Sequence, residues 1–362
     1  MTNTFCIFGQ CFFLRLLLFP VAIIFGIVVF FRNRLYDIGI LSSLQFKIPI
    51  ISIGNLSMGG TGKTPMTEYL IRLLKEKYSL AILSRGYRRR TKGFLPVKNN
   101  STSFHVGDEP VQFKKKFSDV VVAVDENRKH GIKKILSLFP ETKLILLDDA
   151  FQHRRVKPGL SILLTDYNKI YYEDFIFPVG TLREWSSGKS RADIIIVTKS
   201  PENISSTEKI YIIKKINLEP HQHVFFSYIK YGKLYPLSNI STFRHLDILK
   251  DFQIILLTGI SNSKPLEDFL CDKVSKIISL SYPDHHEYSL TEINKLDEIF
   301  NSIADKKKLI ITTEKDAMRL NKPELMEALQ KLPVYYLPIE IFFLGNEKEE
   351  FEKIIYNYSA LR

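Results

Sequence analysis

Cysteine is scarce, three in 362 residues, and the three are poorly placed for one another: Cys6 and Cys11 sit in an apolar N-terminus and Cys271 lies far away. That spacing excludes a disulfide framework and a cysteine-based metal cluster, and it fits a reducing cytosolic compartment. Internal repeats and low-complexity tracts are absent. So is any recognisable recognition helix or RNP-type aromatic strand, so the net charge of +12 does not by itself point to nucleic acid. The basic surface leaves anionic lipid and phosphorylated substrates as the better classes of partner. His285 and His286, in YPDHHEY at 282–288, lack zinc-type spacing to other histidines or cysteines, which argues against a zinc centre.

What is present begins with an unbroken apolar run over residues 16–31, preceded by Arg15 and followed by Arg32 and Arg34. As a helix it would be roughly 24 Å long, short of a hydrocarbon core of roughly 30 Å. Extension through residues 5–14 would bury Arg15. The run therefore predicts a helix lying in the membrane interface or entering one leaflet, rather than a clean span. No small-x-small cleavage site follows, which argues against a signal peptide. Pro20 and the near-absence of a polar face argue against a buried core helix, and the flanking arginines place the body of the protein on the cytoplasmic side.

Beyond residue 36, short apolar runs at 48–53, 80–83, 120–124, 144–147, 161–164 and 194–197 alternate with amphipathic stretches, which predicts a parallel sheet covered by helices. Residues 201–236 read as extended strands or a hairpin, and the domain junction falls there. A second α/β unit follows, with strands expected at 252–257, 277–280, 309–313 and 334–337 and helices at 265–270 and 290–300. At this length two domains can each bury a core.

The most informative stretch is IISIGNLSMGGTGKTPMT at 50–67. An apolar run feeds a glycine-rich turn ending in Gly62-Lys63-Thr64, where backbone N–H groups converge on phosphate oxygens, Lys63 adds charge and the Thr64 hydroxyl is placed to meet Mg²⁺. Pro65 suits the first turn of a helix. The strict Walker pattern would put glycine at position 57, where this chain has Ser57, and Gly54 is expected to supply the bend instead.

Further groups lie at predicted strand ends. Asp148 and Asp149, in KLILLDDAFQHR at 143–154, follow a wholly apolar strand, the place where a carboxylate meets Mg²⁺ in P-loop enzymes. Asp108, in GDEP at 107–110, follows a strand-like stretch on a loop, and locally a functional role and a plain turn or helix N-terminus weigh equally. Arg183 and Glu184 belong to the loop VGTLREW at 179–185. The cluster SRGYRRR at 84–90, with Arg85 and Arg88, suits an anionic substrate or a lipid headgroup, although charge runs are usually solvated. TTEKD at 312–316 either reaches nucleotide or caps the next helix.

In this order the pieces ISIGNLSMGGTGKTP, LSRGYRR, GDEP, LLDDAFQHR, GTLRE, PDHHEY and TTEKDA, with the apolar helix before them, resemble the tetraacyldisaccharide 4'-kinases, the lipid A kinases of Gram-negative bacteria. The resemblance runs from about residue 16 to residue 320 and implies a P-loop fold with a smaller second α/β domain and an N-terminal membrane-anchoring helix. The apolar helix and the junction near 201–236 divide the chain into domains at 1–35 (membrane helix), 36–220 (kinase core) and 221–362, and the resemblance implies that the last closes over the site. The implied reaction passes the γ-phosphoryl of ATP, with Mg²⁺, to the 4'-hydroxyl of tetraacyldisaccharide 1-phosphate at the cytoplasmic face of the inner membrane. In that family Ser57 is an ordinary residue at its position. Ala150, where the family often has glycine, and Trp185, often proline, are departures.

Carried over position by position, the resemblance makes Ser57, Met58, Gly59, Gly60, Thr61, Gly62, Lys63 and Thr64 the nucleotide loop. It gives Thr64, Asp148, Asp149 and Glu184 to the metal, Asp108 to proton acceptance with help from His285, and Lys63 and Arg183 to phosphate charge. Arg85, Arg88, Gln152 and His153 are candidate substrate contacts. The expected partners are the lipid disaccharide and inner-membrane lipid, with neither nucleic acid nor an obligatory protein partner. The rival reading is a membrane-recruited P-loop ATPase switch; those proteins carry lysine before the double glycine, where this chain has Met58.

Overall fold

The computed structural model describes residues 3–237 and 245–360, with side chains from residue 15 onward, so Cys6 and Cys11 lie outside the described side chains. The chain forms two compact units, each discontinuous in sequence: residues 1–85, 125–229 and 341–362 make the first, residues 86–124 and 230–340 the second. These limits differ from boundaries drawn at 35 and 220. The segment 86–124 groups with the second unit because its helix Asp108–Lys116 bonds the helix Glu314–Leu320: Gln112 donates to Glu314 Oε2 at 3.1 Å and Lys315 to Glu109 Oε1 at 2.8 Å. The C-terminal helix Glu347–Ala360 groups with the first unit, where Tyr358 bonds both the N–H and the carbonyl of Ile50, at 3.0 and 3.1 Å.

In the first unit the strands run side by side in the order His223–Tyr231, Ile194–Thr198, Leu160–Asp166, Ile50–Asn55, Leu144–Leu147, Leu80–Ser84. All five pairings are parallel, and helices cover both faces of the sheet. The strands are predominantly apolar, as burial on both faces favours: Ile51, Ile53, Ile145, Leu146, Ile162 and Ile195 are wholly buried. The register pairs Ser52 with the last residue of its neighbour, Leu147, so the aspartate pair leaves beside the end of the strand Ile50–Asn55 that delivers the glycine loop. In open parallel sheets, ligands bind at these carboxyl ends.

The segment 201–236, expected as extended strands or a hairpin, is the helix Ser206–Ile216 followed by the strand His223–Tyr231, so the extended reading fails for its first half and holds in its second. Ser205 caps the helix by accepting from the Glu208 N–H, and Ile212 and Ile216 turn one face inward. The capping signal S-x-x-E outweighed the lysine-rich composition.

The second unit holds a five-stranded sheet in the order Lys276–Ser281, Gln253–Thr258, Lys308–Thr313, Val334–Leu337, Tyr235–Pro236. The first four are parallel and the last is antiparallel. Its core includes Ile255, Leu257, Ile310, Leu320 and Val334.

The N-terminal helix is continuous over Asn3–Asp37, passing through Arg15 and Pro20 without a break. The portion Arg15–Asp37 is long and apolar enough to cross a membrane. Ala22 and Gly26 are buried and Phe25 and Val29 partly so, giving one seam at helical spacing, while Leu17, Ile24, Val28 and Phe31 are exposed.

Candidate active site

The Ile50–Asn55 strand delivers its chain into a loop bent by Gly59 and Gly62, at φ +112° and +85°. These two are the left-handed positions a side chain would strain, and open space surrounds Gly59. Gly54 does not supply the bend. It lies within the strand, and a Cβ there would fall 2.7 Å from Phe151 Cβ and 2.9 Å from the Phe151 nitrogen, so its role is to let residues 148–151 approach.

Three bonds shape the loop. Asn55 Nδ2 donates to Thr61 Oγ1 at 2.8 Å, Thr198 Oγ1 donates to the Thr61 carbonyl at 2.9 Å, and the Met58 N–H donates to the Thr181 carbonyl at 2.7 Å. Ser57, nearly buried, pairs with Leu182 across an antiparallel bridge. Met58, Gly59 and Gly60 are exposed, and Lys63 and Thr64 open the helix Lys63–Leu74. A helix start behind an uncrowded glycine turn has the form of a phosphate cradle.

Asp148 and Asp149 are treated differently. Asp148 is buried, receiving Thr67 Oγ1 at 3.3 Å and Ser84 Oγ at 3.1 Å. Asp149 adopts the left-handed conformation, φ +46°, which aims its carboxylate at Lys63 Nζ (3.7 Å) and Arg183 Nη1 (3.0 Å). Burial alone would raise the Asp149 pKa, but Lys63, Arg183 and Arg128 together hold it below the usual carboxylate range. Ala150 keeps an ordinary φ, so its methyl leaves the turn intact; the strain sits one residue earlier.

The residues 182–185 lie in a loop tied to the glycine loop by the Arg183 N–H, which donates to the Leu56 carbonyl at 2.7 Å. Glu184 does not stand free for a metal. It is 1% exposed, Arg191 Nη2 lies 2.8 Å from each of its oxygens, and Asn33 Nδ2 (2.7 Å) and Gln152 Nε2 (3.0 Å) complete its contacts. The carboxylate is the buttress of this loop. Gln152 is likewise occupied, donating to the Asn55 carbonyl at 2.8 Å and accepting from Arg183 at 3.4 Å. His153 is driven down to about 3 by burial and by the positive Arg128 and Arg85, so it stays neutral. It borders an open groove of about 600 Å³ with Arg154, Arg191 and the Tyr36–Asp37 end of the helix. Arg85 is exposed.

The second unit assembles its own cluster. Gly107, at φ +93°, turns the chain so that Asp108 is the first residue of its helix. Asp108 Oδ2 accepts from His285 Nδ1 at 3.0 Å and from Arg319 Nε at 2.7 Å. Arg319 is 2% exposed and also donates through Nη1 to the Gly259 carbonyl (2.6 Å) and Asp316 Oδ1 (2.8 Å). Burial raises the Asp108 pKa, but the His285 hydrogen bond and the Arg319 charge outweigh it, and the carboxyl titrates below its usual range. Arg88, expected at substrate, instead donates to the Asp284 and His285 carbonyls at 3.0 and 3.4 Å and so supports the histidine loop. The Tyr87 ring meets His285 edge-on at 5.2 Å.

Two arginines escaped the sequence reading. Arg128, 2% exposed, donates to the Asp125 and Asp148 carbonyls at 2.5 and 2.9 Å; its only local sign is the Asn127 cap before it. Arg319 stands one helical turn after Asp316 in the segment 312–319, an i,i+3 ion pair visible in sequence, though its reach to Asp108 is not. Thr313 caps the helix by accepting from the Asp316 N–H, so TTEKD takes the capping alternative.

The residues suit ATP and Mg²⁺ by their chemistry: a helix-start cradle for phosphates, and hydroxyl and carboxylate oxygens, the donors a hard divalent cation takes. Among the described residues no group of three His, Cys, Asp or Glu could hold a metal alone, and Mg²⁺ in phosphoryl-transfer sites draws the rest of its shell from phosphates and water.

Comparison with known proteins bears on the whole chain. A model of the family described as tetraacyldisaccharide-1-P 4'-kinase matches residues 14–359. The tetraacyldisaccharide 4'-kinase of Bacteroides thetaiotaomicron is 48% identical over 351 residues, 94% of this chain and 92% of that protein. That of Flavobacterium johnsoniae is 45% identical over 350 residues, 95% of this chain and 97% of that protein. Among solved structures, LpxK from Aquifex aeolicus in complex with ATP superposes with a TM-score of 0.72 at 29% identity, covering 96% of this chain and 100% of that one. The chain belongs to the tetraacyldisaccharide-1-P 4'-kinase family.

Proposed function

We infer that this chain is an ATP-dependent kinase that phosphorylates the 4'-hydroxyl of tetraacyldisaccharide 1-phosphate, forming lipid IVA in lipid A biosynthesis. The observation that carries the reading is the phosphate cradle at 57–64 with Asp149 turned onto Lys63 and Arg183. Such a set of charges is what phosphoryl transfer needs, because that reaction is mostly positioning and charge stabilisation.

The cradle N–H groups and Lys63 hold the β- and γ-phosphates, and Arg183 lies against the charge that builds on the transferred group. Thr64 and Asp148 would hold Mg²⁺, which when bound neutralises phosphate oxygens, with Asp149 beside it. Glu184 braces the Arg183 loop. Asp108 accepts the proton of the attacking hydroxyl. Among the described residues its bonds fall on Oδ2, which leaves Oδ1 to meet the acceptor, and His285 fixes the carboxylate through Nδ1–H.

The exposed apolar faces of the Arg15–Asp37 helix support association with the inner membrane at its cytoplasmic face, where ATP and the lipid acceptor are both available. Incubation with γ-labelled ATP and tetraacyldisaccharide 1-phosphate in detergent tests the activity. Label on the lipid is the expected outcome; ATP hydrolysis with no labelled lipid would favour a membrane-recruited ATPase switch.

A further inference from the structure

The helix that anchors the chain ends among the catalytic loops. Its seam touches the loop at 182–185: Trp185 Nε1 donates to the Gly26 carbonyl at 2.9 Å, and a Cβ at Gly26 would fall 2.7 Å from the indole. Two turns further on, Asn33 Nδ2 donates to Glu184 Oε2 at 2.7 Å. The same turn meets residues 152–154, because Arg32 donates to the Gln152 carbonyl at 2.9 Å and Arg154 to the Asn33 carbonyl at 2.7 Å and Asp37 at 2.6 Å. Glu184 and Gln152 are bonded to each other, and Gln152 and Asp149 both accept from Arg183. An unbroken series of bonds thus runs from Asn33 through Glu184 and Gln152 to the Arg183–Asp149 pair.

We propose that Asn33 is a positioning residue: by holding Glu184 it sets where Arg183 stands over the phosphates, so the seating of the anchor helix governs turnover and not only attachment to lipid. The proposal rests on the kinase reading. Trp185 adds a second fastener on the same loop, and the small Gly26 is what lets its ring lie against the helix backbone. A helix serving only as an anchor would need no polar side chain aimed at a buried carboxylate. Losing the Asn33 donor also has a cost, since Glu184 is a buried acceptor whose oxygens are shared among three side chains.

The test uses the full-length protein in mixed micelles, with Asn33→Ala, Glu184→Gln and the double variant, reading kcat, KM for ATP, KM for the lipid acceptor and flotation with anionic vesicles. Asn33→Ala is expected to lower kcat about tenfold, with lipid KM and flotation near those of the unchanged protein, since small displacements of a charged positioning group are costly in rate. The double variant is expected to be no slower than the slower single, because the two act through one bond. Additive effects, an unchanged kcat, or a loss confined to lipid KM and flotation would each overturn the proposal. Thermal unfolding of each variant separates a misplaced loop from a protein that fails to fold. Absence of label on the lipid with the unchanged protein would instead count against the kinase reading.

Discussion

Arg319 Nε and His285 Nδ1 both donate to the same oxygen of Asp108, at 2.7 and 3.0 Å. A carboxylate held this way stays ionised, and its direction is fixed by two partners from separate segments of the second unit. The arrangement favours placement over intrinsic basicity, in keeping with a reaction whose transition state is stabilised mainly by charge.

Replacing Arg319 with methionine removes the charge that keeps the Asp108 carboxyl low, so its pKa rises. The acid limb of the kcat/KM profile is expected to move upward by about one unit or more, with Arg319→Lys intermediate. The linked stability has the same sign: a depressed carboxyl pKa stabilises the fold above its unfolded value, and that stabilisation is lost as pH falls through the folded value. A profile unchanged by Arg319→Met would show that Asp108 does not set the limb.

Asp108→Ala is expected to lower kcat by about 10² to 10⁴ while KM for ATP changes little, since the residue lies outside the phosphate cradle. Steady-state kinetics over both substrates check this. A normal turnover would remove the proton-accepting assignment.

Lys63→Ala and Asp148→Ala should each abolish measurable transfer, for different reasons. Loss of Lys63 removes phosphate charge and leaves Asp149 to Arg183 and Arg128, so ATP affinity falls too. Loss of Asp148 removes a proposed metal ligand and the carboxylate that accepts from the Thr67 and Ser84 hydroxyls. Nucleotide titration with and without Mg²⁺ separates the two: the Asp148 variant should lose the Mg²⁺ dependence of binding.

Gly54→Ala inserts a methyl where Phe151 backbone and Cβ already stand. Overpacking of this kind costs about 1–3 kcal/mol, and relief requires moving the loop that bears Asp148 and Asp149. Denaturant unfolding should report the lost stability, and kcat should fall with it; a neutral effect on both would mean the loop yields freely.

His153, neutral in the fold at about 3, takes up a proton on unfolding below its ordinary value near 6.5. The unfolded state therefore binds more protons as pH falls from 7 to 5, and the fold loses stability over that window. His153→Gln should flatten the decline by about 2 kcal/mol at pH 5, read from melting curves at the two pH values.

The alternation of apolar runs read the sheet strands closely: residues 144–147 and 334–337 were located to the residue, and the strands at 50, 80 and 194 within two residues of their ends. Buried parallel strands are unbroken apolar runs, so their pattern is local and strong. The helix Ser206–Ile216 was missed because lysines masked a cap and a two-residue apolar face. The role of Gly54 was misassigned because a close approach depends on Phe151, almost a hundred residues away.

By itself the sequence determined where the glycine loop forms and pointed to phosphate as its ligand: the glycines, Lys63 and Thr64 are contiguous, and the backbone conformation they need is local. It also placed Asp148 and Asp149, since a strand end is a local feature. Tertiary structure alone decided which of these groups are available for chemistry. Glu184 and Arg88 looked like free ligands and are tied to Arg191, Asn33 and the carbonyls of Asp284 and His285. The resemblance had already joined Asp108 to His285, 177 residues away, but Arg319, 211 residues away, came only with the fold, and no spacing rule reaches that far. Whether a side chain can meet a ligand depends on who else has claimed its hydrogen bonds, and that is settled only when distant segments pack.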